Sequence, residues 1–525
     1  MTLDPRSPRT TREDLPPPNI LLITTDQQRY DTLGVTGNPQ VRTPHLDTLA
    51  ARGVLFRHGY IQNPVCIPSR ACIQTGRYVH QHGVEYMENA IGTTPGLPPW
   101  EKTVMERLQD TGYTTAGFGK IHMMPPKGFD ELRLTMGKGA RWTVAGGSAL
   151  GPSQLGPVYA GWLERKRPGA YEEIYAQRRR PEYREQANAI VNVLAADEYV
   201  DYWIGENTWR YLDRDHARPF FAWCGFCGPH GPFDPPEPYA SMHHPEDIPV
   251  PELLRARQQL VPGGNRPTRF DGEDGAHLIR KIIAYYWGMV TFIDDMMGRI
   301  MEVMTRRGLW DNTLVIFTTD HGEMLGDFGK LGKGNFTESV IRAPYIVVPP
   351  GSAAPAALDA PGSRGGPIVR AVDSLVEHID LAPTILDYAG ISHPPELPGI
   401  SLRPILEHPT ARPQTKDAVL CEYTTNDRMQ RQKCLRTERY KYIFNDGGRP
   451  AELYDLEEDP LERVNVADDP RYVTELRHHA ELLIDRLTSA NLDAWSTTGV
   501  REAIWTTDHF GLPISALARD GASRE

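Results

Sequence analysis

The chain has 525 residues and a formal net charge of −11, with hydrophobic residues at 40% and charged residues at 24%. That length exceeds the size at which one core usually stops growing, so one large domain with a smaller companion is expected. The acidic balance disfavours wholesale nucleic-acid binding, no apolar run approaches the roughly 20 residues that span a bilayer, and six scattered cysteines are too few to staple a chain this long.

Met1 to Pro18 is polar and Pro-rich and lacks the apolar core of a signal peptide, so residues 1–17 are read as a flexible leader and a reduced, cytoplasmic location is expected. Asn19 to Asp26 is a continuous apolar run ending on a carboxylate, the pattern of a strand buried on both faces. Thr43-Pro44 then opens a helix, with a hydroxyl cap and a first-turn proline, that closes at Gly53. In Cys66-Ile67-Pro68-Ser69-Arg70, continued to Thr75-Gly76-Arg77, a potential nucleophile stands beside a rigid turn and two cations; Arg70 and Arg77 would favour the thiolate and attract an anion. A cysteine alone beside Pro and Arg reads as a small buried hydrophobe.

A second helix is predicted from about Trp100 to Asp110, then the run Tyr113 to Phe118 leading into Gly119-Lys120-Ile121-His122. Glu131 to Arg218 is less regular and reads as an elaboration around the site; its Trp142, Tyr159, Trp162 and Tyr171 could stack on a substrate or simply pack. Pro219 to Trp223 reads as a strand, Ile279 to Arg306 as a long helix, and Thr313 to Phe317 as a strand that again ends in Thr-Thr-Asp. Ala353 to Gly366 reads as a loop and Asp380 to Leu386 as a helix. This alternation argues for an α/β fold with a large mixed, mostly parallel sheet flanked by helices across 18–400. Beyond a boundary near 400, strand-like Tyr440 to Phe444 and Glu452 to Asp455 surround the turn Asn445 to Gly448, and Val473 to Leu487 is an amphipathic helix. That predicts a smaller C-terminal α+β domain, 401–490, with a short antiparallel sheet. The tail 491–525, with Trp495, Trp505 and Phe510, is read as a packing or oligomer contact.

Ligands gather at the carboxyl ends of strands in such sheets, and Asp26 and Asp320-His321 stand at two of them. With the Gln27 amide oxygen they make an oxygen-rich set with one nitrogen, suited to Ca²⁺ or Mn²⁺. Trp223-Cys224-Gly225-Phe226-Cys227 resembles a thiol-redox motif, but Gly228-Pro229-His230-Gly231-Pro232 follows, so the helix that would activate the first cysteine cannot form.

The Cys66 string, Cys-x-Pro-Ser-Arg followed by Thr-Gly-Arg, resembles the signature of the sulfatase family, in which that cysteine is oxidised to formylglycine. The resemblance implies an alkaline-phosphatase-like fold, one divalent metal ion held by Asp26, Gln27, position 66, Asp320 and His321, and catalytic roles for Arg70, Lys120, His122, His230 and Lys333. Many sulfatases have a second Asp at Gln27 and Asn at His321; the forms here look like the branch of choline sulfatases and phosphonate monoester hydrolases, and the nitrogen donor moves metal preference toward Mn²⁺. The family's mechanism implies attack on sulfur by a hydroxyl of hydrated formylglycine, leaving-group protonation by His230 with Lys333, and deprotonation of the second hydroxyl by His122. Expected partners are a small sulfate ester, a formylglycine-generating enzyme during maturation and a second copy of the chain; no nucleic acid and no membrane are expected. The alternatives are a phosphonate monoester or phosphodiester hydrolase of the same fold, and a catalytically silent anion-binding relative, which should have lost one of Cys66, Asp26, Asp320, Lys120 or His230.

Overall fold

Seven of the eight residues of Asn19–Asp26 (β1) are buried, because this strand lies at the centre of the main sheet. The computed structural model describes residues 16–85, 97–123, 126–135, 137–138, 157–254, 269–353, 369–407, 416–425, 430–446 and 450–489. The expected leader up to residue 15, the loop 354–366, Gly447-Gly448 of the expected turn, Trp142 and the tail lie outside them.

The other strands of this sheet are Val54–Tyr60 (β2), Thr114–Gly119 (β3), Glu131–Leu134 (β4), Phe220–Pro229 (β5), Thr313–Thr319 (β6), Arg342–Ala343 (β7), Ile346–Val348 (β8) and Arg370–Glu377 (β9). Their order is β4-β3-β5-β1-β6-β8-β2-β7, with β9 also paired to β2. From β4 to β6 every pairing is parallel; β8 is antiparallel to β6 and β2, and β9 is parallel to β2. The sheet is therefore mixed and mostly parallel, as the alternation of strands and helices predicts.

Helices cover both faces: Pro44–Arg52 (α1), Cys66–Thr75 (α2), Val104–Gln109 (α3), Val200–Leu212 (α4), Gly272–Arg306 (α5) and Leu381–Tyr388 (α6). Alternation along β1 sends Leu21 and Ile23 into one core with Trp203, Ile204 and Met296, and Ile20 and Leu22 into the other with Leu108, Leu381 and Leu386. Among the described residues no helix is long and apolar enough to cross a membrane.

The main departure from expectation is 131–218, which holds β4, the helices Pro157–Lys166, Ala170–Arg179 and Pro181–Glu185, and α4. Its Tyr159 and Tyr171 are buried in the core, and Trp162 packs against it, so these rings serve packing. The α1 cap also differs. Thr43 Oγ1 accepts from the Gly34 N–H and donates to Asp47, while the free N–H groups of His45 and Leu46 donate to Asp294 of α5 at 3.1 and 2.7 Å.

After residue 400, Ala418–Thr424 (β10), Arg431–Thr437 (β11), Tyr440–Asn445 (β12) and Glu452–Asp455 (β13) form an antiparallel sheet, against which Val473–Ser489 (α7) packs. Two of these strands have no clear apolar alternation to announce them; Glu422 and Lys433 interrupt it, and pair with each other across β10 and β11.

Candidate active site

Because β1, β3, β5 and β6 are parallel, their carboxyl ends fall on one edge of the sheet, and each delivers site residues there. Asp26 and Gln27 follow β1, Lys120 and His122 follow β3, His230 follows β5, and Asp320 and His321 follow β6. Position 66 comes from β2, which runs in the same sense. Gln27 (φ 67°) and His122 (φ 58°) both leave their strands in the left-handed region, which non-glycine residues rarely adopt, so the chain turns sharply where function needs it. Gly225 lets β5 approach β3 closely here: a Cβ there would meet the Lys120 carbonyl oxygen at 2.4 Å.

Cys66 is the first residue of α2, with Pro68 in the first turn where no intrahelical donor is lost. The rest of the string ties this helix down. Ser69 Oγ donates to the Asp320 carbonyl oxygen at 2.6 Å, and Arg70 Nε donates to Asp320 Oδ2 at 2.9 Å while its other nitrogens reach the Lys120 carbonyl and Asp26. Arg70 is fully buried and clamps the two carboxylates, Asp320 and Asp26. Arg77 pairs with Glu101 at 2.7 Å, away from Cys66.

The groups that do surround Cys66 are Lys333, whose Nζ lies 2.7 Å from Sγ, His321 Nε2 at 3.1 Å, Lys120 Nζ at 3.8 Å and Asp26 Oδ1 at 3.8 Å. His122 and His230 also reach the sulfur. Burial alone would push the thiol up, but Lys120, Lys333 and His321 together hold it well below the ordinary thiol range. Burial and Cys66 likewise oppose ionisation of Asp26, and Lys120, His230 and Lys333 win, keeping it below the usual carboxylate range. Lys120 donates to Asp26 and stays charged despite its burial.

The donor set suits a divalent cation. Ligand atoms of Asp26, Cys66, Asp320 and His321 all lie within 4.8 Å of one another. His321 Nδ1 donates to the Gly322 carbonyl oxygen at 2.9 Å, which leaves Nε2 as a lone-pair donor facing the cluster. Gln27 donates its amide N–H to Glu323, and its buried Oε1 has no hydrogen-bond partner. An orphaned buried oxygen among carboxylates and an imidazole fits a cation with oxygen preference.

A family model described as "Sulfatase" matches residues 18–391, and one described as "N-sulphoglucosamine sulphohydrolase, C-terminal" matches 328–489. The chain belongs to the sulfatase family. It is 28% identical over 494 residues to an arylsulfatase of Clostridium perfringens, covering 90% of this chain and 94% of that one. A choline-sulfatase of Rhizobium meliloti is 27% identical over 472 residues, covering 86% and 83%. In structure, the phosphonate monoester hydrolase of Agrobacterium radiobacter superposes with a TM-score of 0.71 at 27% identity, over 90% of this chain and 96% of that one. Family and fold together make the protein a sulfuric ester hydrolase of the alkaline phosphatase superfamily.

In this sulfatase a cavity of about 690 Å³ opens above Cys66, lined at its floor by Gln27, Lys120, His122, His230 and Lys333. Glu323 lines it too and was not singled out in the sequence, although it follows Asp320-His321-Gly322 directly. Its carboxylate receives the Gln27 amide and the backbone N–H groups of Leu325 and Gly332. Cys224 and Cys227 lie inside β5, fully buried, where desolvation pushes the first up to about 12 and the second well above its ordinary value. A strand supplies no helix dipole, so the pair lacks the means to activate a thiol.

Proposed function

We propose that this sulfatase cleaves a sulfate monoester to alcohol and sulfate with position 66 in its formylglycine form and one divalent cation, Ca²⁺ or Mn²⁺, held by Asp26, Gln27, position 66, Asp320 and His321. The observation that carries the proposal is the convergence on one sulfur of Lys333, His321 and Lys120 beside the partnerless Gln27 oxygen. The hydrated formyl group would supply the hydroxyl that attacks sulfur, and the cation would neutralise charge there.

Everything else falls to the chain's own side chains. Lys120 and Lys333 offer two preorganised cations to sulfate oxygens in a low-dielectric floor. His230 Nδ1 donates to the Gly231 carbonyl at 2.5 Å, which aims Nε2 into the cavity. Burial and Lys333 lower its proton affinity, so a protonated His230 would pass its proton readily to the leaving oxygen. His122, across the sulfur, accepts the proton released from position 66.

Maturation by a formylglycine-generating enzyme is part of this reading. Peptide mass spectrometry across Cys66, with turnover of 4-nitrophenyl sulfate, tests it. An aldehyde at position 66 and sulfate release are expected. An active enzyme with an intact thiol would overturn the formylglycine step, and a modified, metal-loaded enzyme inert toward all sulfate esters would overturn the reaction. A second activity, on phosphonate monoesters, is motivated by the Agrobacterium hydrolase; kcat/KM for a sulfate and a phosphonate ester of the same phenol would rank the two.

A further inference from the structure

We infer that the alcohol half of the substrate carries a second negative charge, received at the cavity rim by Arg184 and Arg269; the inference rests on the sulfate-ester reading above. Both arginines line the same cavity as Cys66, both are exposed, and neither has a carboxylate within ion-pair distance among the described residues. They add to Lys120, Lys138 and Lys333, which line the same cavity. The contrast lies one layer deeper. Lys138 and Arg178 are committed to the buried Asp234, at 3.4 and 2.7 Å, and Tyr199 completes that hub. Among the described lining residues the one carboxylate, Glu323, is taken up by Gln27, Leu325 and Gly332. Among the described lining residues five basic side chains, Lys120, Lys138, Arg184, Arg269 and Lys333, thus face one carboxylate, and cavity walls of low dielectric focus their field.

The rim is also built in place. Arg184 lies on Pro181–Glu185, and the chain then passes through two consecutive left-handed residues, Ala187 (φ 49°) and Asn188 (φ 66°). The Asn188 N–H donates to the Tyr183 carbonyl at 2.7 Å, Ala189 bridges Phe233, and the Ile190 N–H donates to the Phe233 carbonyl at 3.2 Å. The arginine-bearing segment is therefore fastened to the His230 loop, so rim and floor keep a fixed relation. Among the described lining residues a trimethylammonium group would find two repelling guanidiniums and one phenyl ring, Phe233. A carboxylate or a second sulfate would find two forked donors.

A series of aryl sulfates separates these cases: 4-(2-carboxyethyl)phenyl sulfate, its carboxamide, its trimethylammonium counterpart and the bis-sulfate of 4-(2-hydroxyethyl)phenol. The wild type should prefer the carboxylate or the bis-sulfate over the carboxamide by about tenfold in kcat/KM, mostly through KM, with the trimethylammonium ester poorest. The preference should shrink with added salt. In R184Q/R269Q it should fall below about twofold while the carboxamide ester is turned over as before. The two dianionic arms tell a carboxylate from a second sulfate. An anion preference that survives in the double variant, or no preference in the wild type, would overturn the inference. Failure of the sulfatase reading looks different: the wild type would leave even the carboxamide ester intact. In that case calorimetric binding of 3-(4-hydroxyphenyl)propionate decides, since the rim predicts binding to the wild type and at least about tenfold weaker binding to the double variant.

Discussion

Two clusters of largely buried charge sit at strand ends on the same edge of the sheet, and they are wired oppositely. At the end of β9, Glu377 receives Tyr78 at 3.0 Å, Lys416 at 2.5 Å, Arg486 at 2.9 Å and the Leu420 N–H at 2.9 Å, while Asp380 shares Lys416 and accepts the Glu377 and Ile400 N–H groups. Every carboxylate oxygen there has a donor, and the partners come from both the main sheet and the small sheet with α7. At the ends of β1 and β6, by contrast, Gln27 Oε1 has no partner and two lysines crowd one sulfur. The closed cluster joins two parts of the chain; the open one gathers the donor atoms of Asp26, Cys66, Asp320 and His321 within 4.8 Å of one another. Satisfaction of the polar groups, and not charge density, tells structure from chemistry.

Substitutions in each cluster should therefore split stability from turnover. Cys66→Ala removes the proposed nucleophile from the open cluster and should lower kcat by roughly 10⁴-fold or more with the urea midpoint unchanged. Full turnover by that variant would end the case for position 66. Lys416→Met strips the closed cluster of the cation shared by two buried carboxylates and should destabilise the fold by about 3–5 kcal/mol, with kcat per folded molecule within about twofold of the wild type. If Lys416→Met instead left the urea midpoint in place, the Glu377 cluster would not be the junction described.

How much of this could be read without coordinates follows the same division. Asp26, Cys66, Lys120, His122, His230, Asp320, His321 and Lys333 are legible because each stands at a strand end or inside a dense local motif, and the parallel sheet brings such ends together. Arg70 is legible as a residue but not as a role: that its guanidinium turns inward to Asp320 depends on where β6 ends, 250 residues away. Arg184 and Arg269 carry no signal at all, since only the folded chain brings them to the cavity that Cys66 lines. The strands β10 and β11 were missed because buried ion pairs such as Glu422 with Lys433 break the apolar alternation that marks a strand. The Thr43 cap was mistaken because a carboxylate distant in sequence, Asp294, reached the α1 N–H groups first.

The comparison sharpens at Glu323, which is closed wiring inside the open cluster. By accepting the Gln27 amide N–H it fixes which end of that amide faces the cluster, and by holding the Gly332 N–H it also stations Lys333. Glu323→Ala should weaken Mn²⁺ binding by about 10–100-fold, read by calorimetry or by the spectrum of free Mn²⁺, with conversion of Cys66 unaffected in the mass spectrum. Unchanged Mn²⁺ affinity would mean that the Gln27 oxygen is oriented by something else, or is not a ligand.

The smallest effect expected is one of pH, and it belongs to closed wiring beneath α2. His82 accepts the Val84 N–H at Nδ1, 3.0 Å away, and faces Cys72 Sγ with Nε2 at 3.3 Å. A second proton would have to sit at Nδ1 against that N–H, so burial, which already pushes the imidazole down to about 3, is reinforced by geometry. His378, buried against Thr318 Oγ1 at 2.9 Å, is likewise held down to about 3. A histidine with a depressed folded pKa contributes stability that is fully present above its unfolded value of 6.5 and is lost as the pH falls from there toward 3. Each should therefore remove about 1 kcal/mol between pH 7.5 and 5.5, visible as a lower urea midpoint. His82→Gln should remove its own share of that slope, about 1 kcal/mol, and leave the shares of His378 and of His58 and His243, which burial also pushes down, to about 4. Equal wild-type midpoints at the two pH values would show that these imidazoles take up their protons without unfolding, and that the helix carrying Cys66 rests on a softer base than its burial implies.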